Sequence, residues 1–129
     1  MVNQQADGAG ILSFFIERTD MKDLMQDELE FLAAAGEEAA GAAATLSNIV
    51  SGIGCLIGED QASTGGMCGA LQESDTPQLL WFIAAQIETI GKMALIGSRA
   101  DDQLRVRTQK VSVAATQEGN RKSALQQNN

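Results

Sequence analysis

The chain of 129 residues has no His, no Tyr, one Pro and two Cys, and its aromatic residues are four Phe and one Trp. Each scarcity closes a class of chemistry. Without His there is no His-based triad, no imidazole general base and no His-liganded zinc. The Glu-x-x-His motif of di-iron helical bundles is equally excluded. Two thiols, Cys55 and Cys68, supply neither a disulfide framework nor a Cys-only zinc site. They are expected to stay reduced, with Cys68 the more reactive. Basic residues are also few: 9 Lys and Arg stand against 17 Asp and Glu, a formal net charge of -8. A duplex nucleic-acid binder needs cationic side chains to displace counterions, so direct duplex binding is not expected.

Long apolar runs are missing too. The most apolar stretch, residues 79–96, is interrupted by Gln86, Glu88, Thr89 and Lys92. A spanning helix needs about 20 mostly apolar residues, so the expectation from sequence is no membrane segment. The first eight residues carry no basic group, so no secretory signal is expected and the localisation reads as cytoplasmic.

What is present is helical pattern. Hydrophobic residues make up 44% of the chain, a share that suits a globular protein. Residues 1–9 are small and polar and read as a frayed terminus. Ile11, Leu12, Phe14, Phe15 and Ile16 form a compact apolar run, read as a short helix over about 10–17. Thr19 and Asp20 offer an N-cap, and Asp23, Asp27 and Glu28 follow as early acidic residues. Ala, Leu, Glu and Met dominate from there to Ile57 with no Pro, so a long helix is predicted over about 20–57.

Alternating steps of four and three from Met25 reach Leu29, Leu32, Gly36, Ala39, Ala43, Leu46, Val50, Ile53 and Ile57. All are apolar or Gly, which makes an a/d seam of the coiled-coil type. The g positions Ala35, Ala42, Ile49 and Leu56 widen this face, as in a bundle. Gly36, Ala39, Ala43, Leu46, Val50 and Ile53 are therefore the candidate self-association residues, with the small ones marking a close helix crossing. Leu24 and Phe31 fall off the seam and need separate cover, for which the 11–16 run is the candidate.

Residues 58–76 are rich in Gly, Ser, Asp and Thr and read as a long loop. Thr76 and Pro77 announce a second helix. Its spacing from Leu80 through Ile83, Ile87, Ile90, Ala94 and Gly97 is regular, and a weaker pattern continues to about residue 115. Residues 117–129 read as a disordered tail. The sequence thus predicts one all-α domain over residues 10–116. It is a long antiparallel helical hairpin, and two hairpins are expected to pair into a helical-bundle homodimer.

Charge is uneven. Residues 1–98 carry 14 acidic and 3 basic side chains, whereas residues 99–129 carry 3 acidic and 6 basic. Asp23, Asp27, Glu30, Glu37 and Glu38 lie on the b, c and f positions, opposite the seam. A catalytic carboxylate pair or a metal site needs a desolvated pocket, and these positions face solvent. No enzyme activity, metal or cofactor is expected. Gly52-Ile53-Gly54 lies within a helix and Gly65-Gly66 has no nearby Lys, so neither is a nucleotide-binding loop. The five carboxylates are instead candidates for docking a protein partner of basic character. The function expected from sequence is a non-catalytic protein-binding module: a small acidic bacterial adaptor, secretion chaperone or inhibitor. One alternative is an acidic phage-type inhibitor that occupies the nucleic-acid-binding surface of a host defence complex. Others are a structural subunit of a larger assembly and a protein lying on a membrane surface through residues 79–96.

Overall fold

The computed structural model describes residues 5–63, 65 and 72–126, and these are all helix, turn or coil with no strand among them. The helices are α1 (Gly8–Arg18), α2 (Gln26–Ala33), α3 (Ala35–Ala62) and α4 (Thr76–Gln126), with a 3-10 turn at Glu73–Asp75 before α4. All-α is therefore the observed class. α4 is the spine: α1, α2 and α3 all pack against it.

The first helix begins earlier than its apolar run. Asp7 is the N-cap, and its carboxylate accepts from the Gly10 N–H at 2.8 Å. One of the orphan donors of the first turn is thereby satisfied. Its other end stops at Thr19, in extended backbone.

The long helix expected from residue 20 starts instead at Gln26. The Asp20 carboxylate accepts from the Lys22 N–H at 3.0 Å, which makes a local turn rather than a helix cap. Short polar side chains compete with helix in this way. Met25 takes the N-cap position, and Glu28 reaches back to accept from the Met25 N–H at 2.7 Å. That is the acidic half of a capping box. Residue 34 then separates α2 from α3. Ala34 keeps right-handed helical angles, its N–H donates to the Glu30 carbonyl and its own carbonyl accepts from the Glu38 N–H, so the chain hardly leaves the helical path.

Two further boundaries differ from the sequence reading. Gly58 does not end α3, which runs to Ala62. Nothing crowds Gly58, and an exposed Gly costs a helix only about 1 kcal/mol. The stop comes at Ser63, whose hydroxyl donates to the Asp60 carbonyl at 2.8 Å. The second difference is the tail. α4 continues through Gln126 rather than fading at 115. No Pro interrupts it, and Lys122 pairs with Glu118 one turn away at 3.2 Å.

The core is small and sits where α1 and α2 meet the middle of α4. Met21, Leu29, Ile96 and Ala100 are buried, and Leu12, Phe15, Ile16, Leu24, Leu32, Ala33 and Leu104 pack around them. Gly97 allows the closest approach. A Cβ there would lie 2.8 Å from the Gly36 Cα and 3.3 Å from the Ala33 carbonyl oxygen, so backbone meets backbone. Below this crossing Arg107 donates to the carbonyls of Lys22, at 3.1 Å, and Leu24, at 2.6 Å. Leu24 thus meets residue 107 while Gly36 meets residue 97, so α2 runs against the direction of α4.

Candidate protein-binding surface

Leu24 lies in the bend just before α2, and Phe31 projects from α2 away from the seam. α1 covers only the first of them. Leu24 is half-buried in the core cluster, whereas Phe31 is 78% exposed. Between them lies a groove of about 360 Å³, with Phe15, Leu24, Phe31 and Leu32 as its apolar lining and Asp27 and Glu28 on its edge. An apolar slot with an acidic edge suits a partner that offers an apolar anchor beside basic groups.

The five candidate docking carboxylates are all exposed. None of them takes part in an ion pair among the described residues, where the two pairs are Arg105–Asp101 and Lys122–Glu118. Glu30 accepts from the Gln26 side chain at 2.9 Å. Glu30 and Glu37 lie one heptad apart, as do Phe31 and Glu38, so these residues share one side of α2 and early α3. Asp27 joins them at the groove. Asp23 does not share the helical face, because it lies in the turn before α2, where its N–H donates to the Asp20 carbonyl. Residues 17–38 carry eight acidic against two basic side chains, which concentrates negative charge at this end of the molecule.

The six candidate self-association residues divide. Gly36 faces Gly97, Ala39 is 2% exposed, and Leu46, Val50 and Ile53 are half-buried. α4 is the element that packs along α3, so it covers this side within the same chain. Ala43 is exposed and lies outside the crossing expected of it, and Met25, the first residue of the seam, is spent on the N-cap. The outer apolar residues of the arms remain in the open: Ile49 and Leu56 on α3, and Leu80, Trp81, Phe82 and Ile87 on α4.

Three features escaped the sequence reading. Arg107 ties the α1–α2 connection to α4, a contact spanning more than 80 residues that no local pattern signals. A second groove, of about 540 Å³, opens between the end of α1 and α4, with Arg18, Lys22 and Arg99 interleaved with Glu17, Asp20 and Asp102. The third is membrane-spanning potential, which the sequence reading weighs at residues 79–96 and sets aside. By length and composition alone, the α2–α3 segment and α4 are each long and apolar enough to cross a membrane. Cys55 is a free, exposed thiol on α3, while Cys68 lies outside the described residues. Among the described residues no three His, Cys, Asp or Glu side chains are grouped to hold a metal ion.

No protein family, curated protein or solved structure matches the chain.

Proposed function

We propose that the chain is a non-catalytic protein-binding module that docks a basic partner through the α1–α2 groove and its acidic surroundings. The observation that carries this reading is the set of exposed carboxylates at residues 27, 30, 37 and 38 beside an exposed Phe31, none of them used in an ion pair within the described fold. Unsatisfied charge around an apolar slot supplies both halves of recognition. The slot gives affinity through a desolvated anchor, and the charge guides encounter. An adaptor, a secretion chaperone and an inhibitor all use such a surface. An acidic inhibitor that occupies a nucleic-acid-binding channel is the nearest alternative, and it would draw on the same carboxylates.

In this reading α3 and α4 form an antiparallel hairpin closed at the Gly36–Gly97 crossing. Any pairing of two copies would then use Ile49, Leu56, Leu80 and Ile87 rather than the seam residues already turned to α4.

The test begins with a partner captured from the source cells by the tagged chain and identified by mass spectrometry. Association is then measured for the native chain, the Phe31→Ala variant and the Glu30→Lys, Glu37→Lys double variant at low and physiological salt. The double variant should slow association and flatten its salt dependence while leaving the fold intact, since exposed charges are screened over about 8 Å at 0.15 M salt. Phe31→Ala should speed dissociation. Rates unchanged in both variants would remove this surface as the docking site.

A further inference from the structure

We propose that the arms of α3 and α4 beyond the core cross a lipid bilayer as a helical hairpin, with the α1–α2 end held on the side rich in Lys and Arg.

The argument starts from a contrast within one helical path. On α2 and the first turn of α3, the b, c and f positions carry Asp27, Glu30, Glu37 and Glu38. Past Glu38, residues 39–58 contain no charged side chain at any position. At 1.5 Å per residue these 20 residues extend about 30 Å, the thickness of the hydrocarbon core. A helix that meets water on its outer side carries charge there, as the upstream segment does. A helix without charge on any side belongs in an apolar interior or in lipid. Here α4 covers that path only in part: Ala39 is buried and Leu46, Val50 and Ile53 are half-buried, but none of the most apolar 18-residue stretch of the α2–α3 segment is fully buried, and only 6% of the corresponding stretch of α4.

α4 decides between lipid and a second copy of the chain. Leu79, Leu80, Trp81, Phe82 and Ile83 are consecutive, so at about 100° per residue they point in every direction around the axis. Leu80, Trp81 and Phe82 are all exposed. A partner helix covers one stripe of its neighbour. Three exposed residues set about 100° apart span roughly 200° of the axis, wider than the stripe that one partner helix covers, and lipid covers them all.

The ends of the arms fit the same picture. No Lys or Arg occurs between Lys22 and Lys92, and six occur from Arg99 onward. The turn end of the hairpin carries Glu59, Asp60, Glu73 and Asp75 and no basic residue. Loops that stay in the cytoplasm are enriched in Lys and Arg, so the α1–α2 end lies inside and the acidic turn end outside. Trp81 sits close to the turn end, at the level where aromatic residues gather at a membrane interface. Lys92 lies toward the inner end, whereas Glu88 and, beside Thr89, Asp7 lie about midway along the apolar stretch of α4, where an exposed carboxylate is costly unless it is paired. Lys92 is one turn from Glu88 and has a stem long enough to reach the inner headgroups. α1 starts beside Thr89, and its outward residues Ile11 and Phe14 extend the apolar belt at that end.

Trp81 is the sole Trp, which makes the native chain its own reporter. The experiment reconstitutes the full chain with vesicles of phosphatidylcholine containing a minor fraction of phosphatidylglycerol. Trp81 emission should shift to the blue, and lipids brominated near the headgroup should quench it more than lipids brominated at the chain ends. In a Cys68→Ser background, Cys55 should lose most of its labelling by an impermeant maleimide once vesicles are present. An Asp60→Cys thiol in a Cys55→Ser, Cys68→Ser background should become reactive on the face opposite the α1–α2 end. Ile49→Arg, at an exposed position, should leave the helical content in lipid-free buffer unchanged and abolish recovery with sedimented vesicles. A chain that stays in the supernatant with Trp81 open to aqueous quencher overturns the proposal. So does a lipid-free dimer by light scattering in which Trp81 and Cys55 are already shielded, an outcome that assigns the arms to a second copy. Labelling of the residue 60 thiol on the same face as the α1–α2 end overturns the spanning arrangement. None of these readouts involves Phe31, Glu30 or Glu37, so the docking surface and the membrane arms stand or fall separately.

Discussion

Gly97 and Gly36 meet without side chains between them, and this contact sets how closely α3 approaches α4. Adding one methyl at residue 97 would push it into the backbone of the other helix, which cannot give way as a flexible side chain can. Gly97→Ala should therefore destabilise the fold by about 1–3 kcal/mol, the usual cost of overpacking, read from urea unfolding followed by circular dichroism. Ala43 offers the opposite case. It belongs to the seam by spacing but is exposed in the fold, so Ala43→Leu should change stability by no more than about 0.5 kcal/mol. An equal loss in both variants would mean that α4 or another helix covers residue 43 after all. Leu29 is the fully buried large side chain of the core, and Leu29→Ala should cost about 2–5 kcal/mol by leaving a cavity.

Helix by helix, the molecule is held at one end and bare at the others. The α1–α2 connection puts Met21 and Leu24 against the core, and Arg107 ties its backbone by donating to two of its carbonyls. Arg107→Ala should raise amide hydrogen exchange in residues 19–25 at least severalfold while leaving exchange near Leu29 and Ile96 slow, because only the local tie is lost. Equal acceleration throughout would mean that Arg107 supports the whole core. The far end of α4 shows the reverse. From Val111 to Leu125 every side chain is exposed, and the hydrogen bonds described there, such as Thr116 to the Ser112 carbonyl, are local. Truncation after Lys110 should leave the melting transition of the remainder unchanged. A lowered midpoint would show that this segment packs on something in solution.

Taken whole, the chain buries little of what its composition offers. Among the described residues six apolar side chains are buried, against fifteen large apolar ones that are exposed. A monomer in water with so much open apolar surface should bind an apolar fluorescent dye strongly. Vesicles should suppress that signal as the arms are covered, whereas raising salt should not. Dye binding that is weak in lipid-free buffer would point to a second copy already covering the arms.

The all-helical class was legible because it rests on local causes. Ala, Leu, Glu and Met hold a helix wherever no breaker intervenes, and Thr76-Pro77 marks a helix start by its own stereochemistry. The off-seam placement of Phe31 was legible for the same reason, since period decides which residues of one helix share a side; that of Leu24 was not, because it lies in the bend before α2 rather than on the helix. The choice between cap and turn at Asp20 was not, because one carboxylate serves either geometry and the neighbouring core decides. Heptad spacing likewise shows that Gly36, Ala39 and Ala43 lie along one seam, but not that α4 of the same chain covers the first two and leaves Ala43 exposed. That depends on Gly97, sixty residues away, and on Arg107 reaching back across α4. Contacts between distant segments leave no periodic trace in the chain, so only the tertiary structure could decide which side of each helix is spent on the core and which remains free to bind.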